Sequence, residues 1–405
     1  MGITFDPAGI GTITVTGYTE LAPCTFEDIY QADVAGGWGK VTKLDTAFYF
    51  FTCRLVIGDN TTPTWFHDYN CAVVYTGVAT GTYWCRVATN ATMIWGTLVD
   101  ETNKVTRYGV HLYSLSNGHS HWPVYGNNGT CYYYSCSFDS NQGYYLMRMT
   151  NYGPARFWNC LLMNGFSLAD SNTHNVYNTT ILFGGDCALM YEGSLCVFDR
   201  VSVFSPRVAA FKIGTNNVTV RSLYKRGTGH VVQCVYYTNP AWNLYLIDAD
   251  CVGNLGGAAW TFSWPGSPES GKIWRQYSFD LHVVDDQGSN ISGAAVKVWD
   301  ADGTLVVDTT TAVDGTITTQ TLNYGYYSKQ TGGDTPVLRT PHRIQVSASG
   351  YRTLDFYMSI DEKTALTLGL PDSGGGPPGA VVEVTDTTAS VTCPSTTAVV
   401  EVEEP

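Results

Sequence analysis

The sequence predicts an all-β chain: a parallel β-helix solenoid, then a β-sandwich, then a short strand-forming C-terminal tail. Three observations carry this. A short phrase, an aromatic, a small polar residue and then alternating apolar residues, recurs along the first 265 residues. It reads Tyr134-Ser135-Cys136-Ser137-Phe138, Trp158-Asn159-Cys160-Leu161-Leu162, Tyr177-Asn178-Thr179-Thr180-Ile181 and Phe198-Asp199-Arg200-Val201-Ser202, with the second residues 24, 19 and 21 positions apart. Self-similarity at that period marks a solenoid, and one short strand per copy marks a coil of stacked parallel strands. The composition agrees: 44 % hydrophobic residues, only 14 % charged, 42 Gly and 27 Tyr suit strands and tight turns, so helix should be scarce. Finally, beyond residue 265 the repeat gives way to longer alternating runs punctuated by Asp-Gly turns.

Residues 1–45 mix turn signals with short strands and read as a cap that covers the open strand edges of a first coil. Residues 46–265 hold the coils, including the earlier copies Phe51-Thr52-Cys53-Arg54-Leu55 and Tyr69-Asn70-Cys71-Ala72-Val73 and a looser one at Thr219-Val220-Arg221-Ser222-Leu223. Aligning the copies puts Cys53, Cys71, Cys136 and Cys160 at one place in the repeat, and Asn70, Asn159 and Asn178 at the place before it. These residues read as structural ladders, like side chain over like side chain about 4.8 Å apart. Eleven of the 12 cysteines precede residue 252 and no paired C-x-x-C occurs, so buried reduced thiols are favoured over disulfides or structural zinc.

Residues 266–278 read as a linker, opened by Trp264-Pro265-Gly266-Ser267-Pro268. Residues 279–370 follow as the sandwich, residues 371–379 as a Gly/Pro linker, and residues 380–405 as a β-prone tail with five acids and no Lys or Arg. Two short strands behind a linker cannot fold alone, so they are expected to add to a neighbouring subunit or to their own sandwich. The sandwich segment carries Asp285-Asp286-Gln287-Gly288, Gly293-Ala294-Ala295-Val296-Lys297-Val298, Asp302-Gly303 and Val346-Ser347-Ala348-Ser349-Gly350-Tyr351. In this it resembles the carboxypeptidase regulatory-like, or transthyretin-like, Ig domains, which implies an Ig-like spacer or binding module.

The formal net charge of −13 argues against a nucleic-acid partner, which needs clustered cations. The start, Met1-Gly2-Ile3-Thr4-Phe5-Asp6, lacks a signal sequence, Asp6 spoils a myristoylation motif, and no apolar run is long enough for membrane insertion. A cytoplasmically made yet rugged β-protein fits a virus particle.

The coil repeat, covering about half the chain, resembles the right-handed pectate-lyase-like β-helix superfamily, which includes polysaccharide lyases, glycoside hydrolases and bacteriophage tailspikes and fibres. The resemblance implies a structural virion protein, a fibre, spike or capsid decoration at the particle surface. Its partners would be other virion proteins, further copies of itself, with a trimer among the options, and a host-surface polysaccharide. The other readings are a polysaccharide-degrading or glycan-binding tailspike and an extracellular adhesin.

A glycosidase needs two carboxylates across one groove. Candidates are Asp199, Asp248 and Asp250, with Asp139, Asp170, Asp186 and Glu192 nearby in sequence. Asp199 falls at the place of Asn159 and Asn178 and so reads first as part of a polar stack. Asp248 and Asp250, two apart, would share a strand face, where they could act as a pair or hold Ca²⁺. No other cofactor is implied, and His119 with His121 is a weak metal signal. Arg221, Lys225 and Arg226, near His230, form the basic cluster of the solenoid and read as a solvated loop, a subunit contact or a grip on an acidic sugar. Runs of tyrosine at Tyr132, Tyr133 and Tyr134, Tyr144 and Tyr145, and Tyr236 and Tyr237 must turn some rings outward, where they pack an interface or stack on sugars.

Overall fold

The computed structural model describes residues 1–75, 83–97, 109–114, 122–126, 129–139, 147–151, 155–163, 166–170, 174–182, 187–191, 197–206, 208–213, 217–234, 242–253, 260–264, 271–331, 335–374, 382–384 and 391–392. They form two units: residues 1–242 with 250–268, and residues 243–249 with 269–405.

In the first unit the chain visits three faces in a fixed order and returns one level higher. One coil contributes Thr130–Tyr134, Ser137–Asp139 and Met147–Asn151, and the next contributes Ala155–Trp158, Leu161–Met163 and Phe166–Asp170. Each strand pairs in parallel with its counterpart on the following coil: Tyr133 with Phe157, Phe138 with Leu162, and Met149 with Leu168. Parallel pairing between successive turns of one winding chain makes this a β-helix solenoid. Alternation sends every second side chain inward. Tyr133, Phe157, Val176, Phe198 and Val220 make one buried column on the first face. Phe138, Leu162, Ile181, Val203, Lys225 and Cys251 make another on the second. Each large apolar member contributes roughly 1.5–3 kcal/mol by leaving water.

The repeated phrase is the corner between these two faces. Asn70, Ser135, Asn159, Asn178, Arg200 and Ser222 stand there with φ of 52°, 55°, 54°, 47°, 54° and 50°. A left-handed residue turns the strand sharply, and Asn tolerates it because its short amide bonds locally. The ladder runs on through the bend: Ser135, Asn159, Asn178 and Arg200 each donate N–H to a carbonyl one coil on, at 2.9–3.0 Å. Side chains extend it, Asn159 Nδ2 donating to Ser135 Oγ at 3.3 Å and Asn178 Nδ2 to Asn159 Oδ1 at 2.9 Å. Two expected alignments change. Tyr177 pairs with Asp199, so Arg200 and not Asp199 takes the corner; the coil from Asn178 is one residue longer than the phrase implied. Cys71, Cys136 and Cys160 share a column, but Cys53 stands at a different corner, between Phe48–Phe51 and Arg54–Ile57. Similar bends ask for similar residues, so the phrase recurs at both. Cys24, Cys53, Cys71, Cys85, Cys131, Cys136, Cys160, Cys234 and Cys251 are free and buried.

The cap contains a helix that strand and turn signals did not suggest, Phe26–Gly36. Thr25 opens it with a capping box to Asp28, and Gly37 ends it in the left-handed conformation. The half-buried Asp68 accepts the Phe26 N–H at 2.7 Å. Phe26 then enters the solenoid core, its ring 4.9 Å from that of Phe66 and 5.8 Å from that of Phe51. Gly2–Asp6 pairs antiparallel with Thr12–Thr16, which joins the solenoid by pairing in parallel with Arg54–Ile57.

The second unit is built on the 14-residue strand Lys272–Asp285. It begins inside the stretch read as a linker: after Gly271 there is no breaker, and Ile273, Phe279, Leu281 and Val283 turn inward. Its first half pairs in parallel with Asn243–Ile247, its second half in parallel with Thr364–Leu370, and its other edge antiparallel with Gln320–Tyr327. A second sheet, Leu305–Thr310, Ala295–Trp299, His342–Ser347 and Leu354–Met358, shares one apolar core with it. The tail returns to its own unit. Val382–Val384 extends one sheet beside Thr364–Leu370, and Val391–Thr392 extends the other beside Leu354–Met358.

His342 faces that core, fully buried, with neither ring nitrogen hydrogen-bonded. Burial pushes its pKa down to about 4, against the opposing pull of Asp300. Because the folded pKa lies below the unfolded one, its contribution is complete above about pH 6.5 and is lost as pH falls toward 4, by about 3 kcal/mol. Urea midpoints should drop over that window, and His342→Leu should flatten the drop; an unchanged pH slope would refute the assignment. For the corners, Asn178→Val should cost about 2 kcal/mol and Arg200→Asn should gain about 0.5–1 kcal/mol, measured by the same midpoints; equal effects of the two would overturn the left-handed constraint.

Candidate functional site

The outward residues of the first face form two columns along the solenoid. Alternation with the buried Tyr133, Phe157, Val176, Phe198 and Val220 sends their neighbours outward, and all but Tyr134, which is itself 7 % exposed, reach solvent. One column runs Tyr132, Arg156, Asn175, Val197, Thr219; the other runs Tyr134, Trp158, Tyr177, Asp199, Arg221. Successive members stand about 4.8 Å apart, close to the length of one pyranose unit in a polysaccharide.

The aromatic end is ordered by ring contacts. Tyr132 and Tyr134 lie 6.1 Å apart and 8° from parallel, Arg156 stands 6.0 Å over Tyr132, and Trp158 and Tyr177 are 5.0 Å apart. Burial raises the pKa of the Tyr134 hydroxyl, with Arg156 opposing, so it stays a neutral phenol at pH 7. The other end is ionic: Asp199 lies opposite Arg221 in register and 3.5 Å from Arg200. Such a strip offers flat rings for the C–H faces of sugars and, beside them, donors and acceptors for hydroxyls.

Other sequence candidates fall elsewhere. Tyr132 is on the strip, but Tyr133 is 2 % exposed and stacks on Phe157 at 4.7 Å in the core, because the middle of a tyrosine run alternates inward. Tyr144, Tyr145, Tyr236, Tyr237, His119, His121, Asp186 and Glu192 lie outside the described residues. The basic cluster is divided. Arg221 and Arg226 are exposed at strand ends, whereas Lys225 is 1 % exposed and faces inward. Its Nζ donates to the Gly227 and Gly229 carbonyls at 2.8 and 2.7 Å, and burial lowers its pKa. Lys225 therefore ties down a bend and grips no ligand.

Asp248 and Asp250 do not share a strand face. Asp248 is itself a corner residue, φ 52°, and its carboxylate accepts the Ser278 N–H at 2.6 Å and the Ser278 hydroxyl at 2.5 Å. Asp250 opens the strand Asp250–Val252 and is exposed. The left-handed turn at Asp248 breaks the alternation that would have aligned them. Asp139 ends Ser137–Asp139 half-buried, and Asp170 ends Phe166–Asp170. Among the described residues no three His, Cys, Asp or Glu side chains gather as a metal site. Arg156, Trp158 and Tyr177 were missed as surface residues. The available signal was position: Trp158 and Tyr177 end a strand just before a corner, with an apolar residue preceding each.

No family model matches the chain, and no curated protein matches it. Among solved structures, the periplasmic alginate epimerase AlgG matches at 10 % identity with a TM-score of 0.25, over 61 % of this chain and 74 % of that one.

Asp248→Ala should destabilise the protein by about 2 kcal/mol through loss of both bonds to Ser278, with Asp248→Asn milder. Denaturant midpoints test this, and an unchanged midpoint in Asp248→Ala would remove the structural role.

Proposed function

We propose that this chain is a structural protein of a bacteriophage or related virus particle, a fibre, spike or capsid decoration whose solenoid wall binds a host-surface polysaccharide. The observation that carries the reading is the outer strip Trp158 and Tyr177, beside Tyr132 and Arg156 and ending in Asp199 and Arg221, at the spacing of sugar units. In this reading the solenoid is a right-handed β-helix of the pectate-lyase-like type and the second unit is an Ig-like, carboxypeptidase regulatory-like spacer. The protein works passively, in several copies among other virion proteins, as a stiff wall that presents rings. The alternative of a polysaccharide-degrading enzyme rests on Asp199, the one acid of the three sequence candidates that lies on the strip.

Binding of the full chain to purified host-surface polysaccharide tests the proposal. Trp158→Ala and Tyr177→Ala should each weaken binding about tenfold, a loss of about 1.4 kcal/mol, and antibodies to the chain should label intact particles. Binding indifferent to both substitutions, or particles free of the protein, would refute it. Chain shortening of the polysaccharide that disappears in Asp199→Asn would replace the passive reading with the enzymatic one.

A further inference from the structure

A second row of rings lies on strands of the other unit. The register of Asn243–Ile247, Lys272–Asp285 and Gln320–Tyr327 sets Tyr245 opposite Trp274 and Trp274 opposite Tyr326. Leu244, Leu246, Ile273 and Tyr327 beside them are buried, so the three rings share the outer face, where each is partly exposed. Tyr245 and Trp274 are 6.5 Å apart and 16° from parallel, and Trp274 and Tyr326 are 4.9 Å apart. Trp274 Nε1 donates to Asn243 Oδ1 at 2.9 Å, which fixes the indole plane.

The charge over this row is positive. Lys272 Nζ stands 4.3 Å from the centre of the Tyr326 ring and 5.5 Å from that of Trp274. Among the described residues it makes no ion pair. Arg339, 5.9 Å over Tyr326, is by contrast engaged by Asp300 and Asp302. A chain of net charge −13 thus holds an ammonium that has no carboxylate partner among the described residues above the rings of Trp274 and Tyr326.

We propose that this row binds an acidic polysaccharide. Sugar C–H faces lie across Tyr245, Trp274 and Tyr326, and the carboxylate of a uronate unit meets Lys272 Nζ. The backbone argues against a peptide strand as occupant, since Lys272–Asp285 is paired along both edges and offers no open ladder. One lysine on an acidic chain argues equally against nucleic acid.

The test uses the full chain, titrated calorimetrically with oligogalacturonate and with its neutral methyl ester. The acid should bind saturably and at least about tenfold more tightly than the ester. Trp274→Ala should lose about tenfold in affinity, and Lys272→Ala should abolish the preference for acid over ester while Lys272→Arg keeps it. Trp158→Ala, on the solenoid strip, should change nothing, which separates this site from the proposed function. No saturable binding, equal affinity for acid and ester in the unmodified chain, or a loss that follows Trp158→Ala and not Trp274→Ala would overturn it. The acid–ester comparison needs no substitution, and Lys272→Ala removes no buried side chain, so misfolding cannot mask the outcome.

Discussion

The first unit depends on the chain turning the same corner, in the same left-handed conformation, at the same point of successive coils. Asn70, Ser135, Asn159, Asn178, Arg200 and Ser222 are its visible form. If one of these residues relaxed to ordinary extended geometry, the strand after it would leave register and every later side chain would exchange inside for outside. The backbone bonds carried through the bend remove that freedom, since the N–H groups of Ser135, Asn159, Asn178 and Arg200 are committed to the next coil. Asn serves here for its tolerance of positive φ and for its amide, which adds a side-chain ladder to the backbone one. Arg200 has neither advantage and is held by its neighbours.

From that register follows the division of labour between the two sides of one strand. Phe157, Val176 and Phe198 are core because Arg156, Trp158, Tyr177 and Asp199 are not. Stacking repeats the outer positions as faithfully as the inner ones, so a chemical theme placed on one coil becomes a row when neighbouring coils carry related residues. The rings of Trp158 and Tyr177 are such a row, and Asp199 and Arg221 change its character from flat and apolar to charged. The same register explains the burial of Lys225, which occupies the inward column of Val203 and Cys251 and satisfies its ammonium with two carbonyls.

The second unit obeys a different constraint. A single long strand, Lys272–Asp285, takes a parallel partner on each half of one edge and an antiparallel partner along the other, so both sheets are organised about its inward residues. Burial there extends to His342, whose unpartnered ring makes the core sensitive to acid. The outer side of the same strand carries Lys272 and Trp274, and the partner strands align Tyr245 and Tyr326 with them. The tail strands add to both sheets of this unit through backbone pairing.

The sequence by itself determined the all-β class, the coil repeat and the alternation within each strand, because these depend on local periodicity and on which residues tolerate a bend. Asn159, Asn178, Cys136 and Cys160 were legible as ladders for that reason. The helix Phe26–Gly36 was legible only through its capping box and was outweighed by the surrounding strand signals. Tertiary structure decided everything that turns on register between coils. A slip of one residue separates Asp199 from Arg200 at the corner, and neither that slip nor the pairing of Tyr177 with Trp158 can be read from one strand alone. The left-handed bend at Asp248 dissolved a carboxylate pair that spacing had suggested. Which residues share a face is fixed along a strand by its own period of two, whereas which residues share a column is fixed by hydrogen bonds to a coil some twenty positions away.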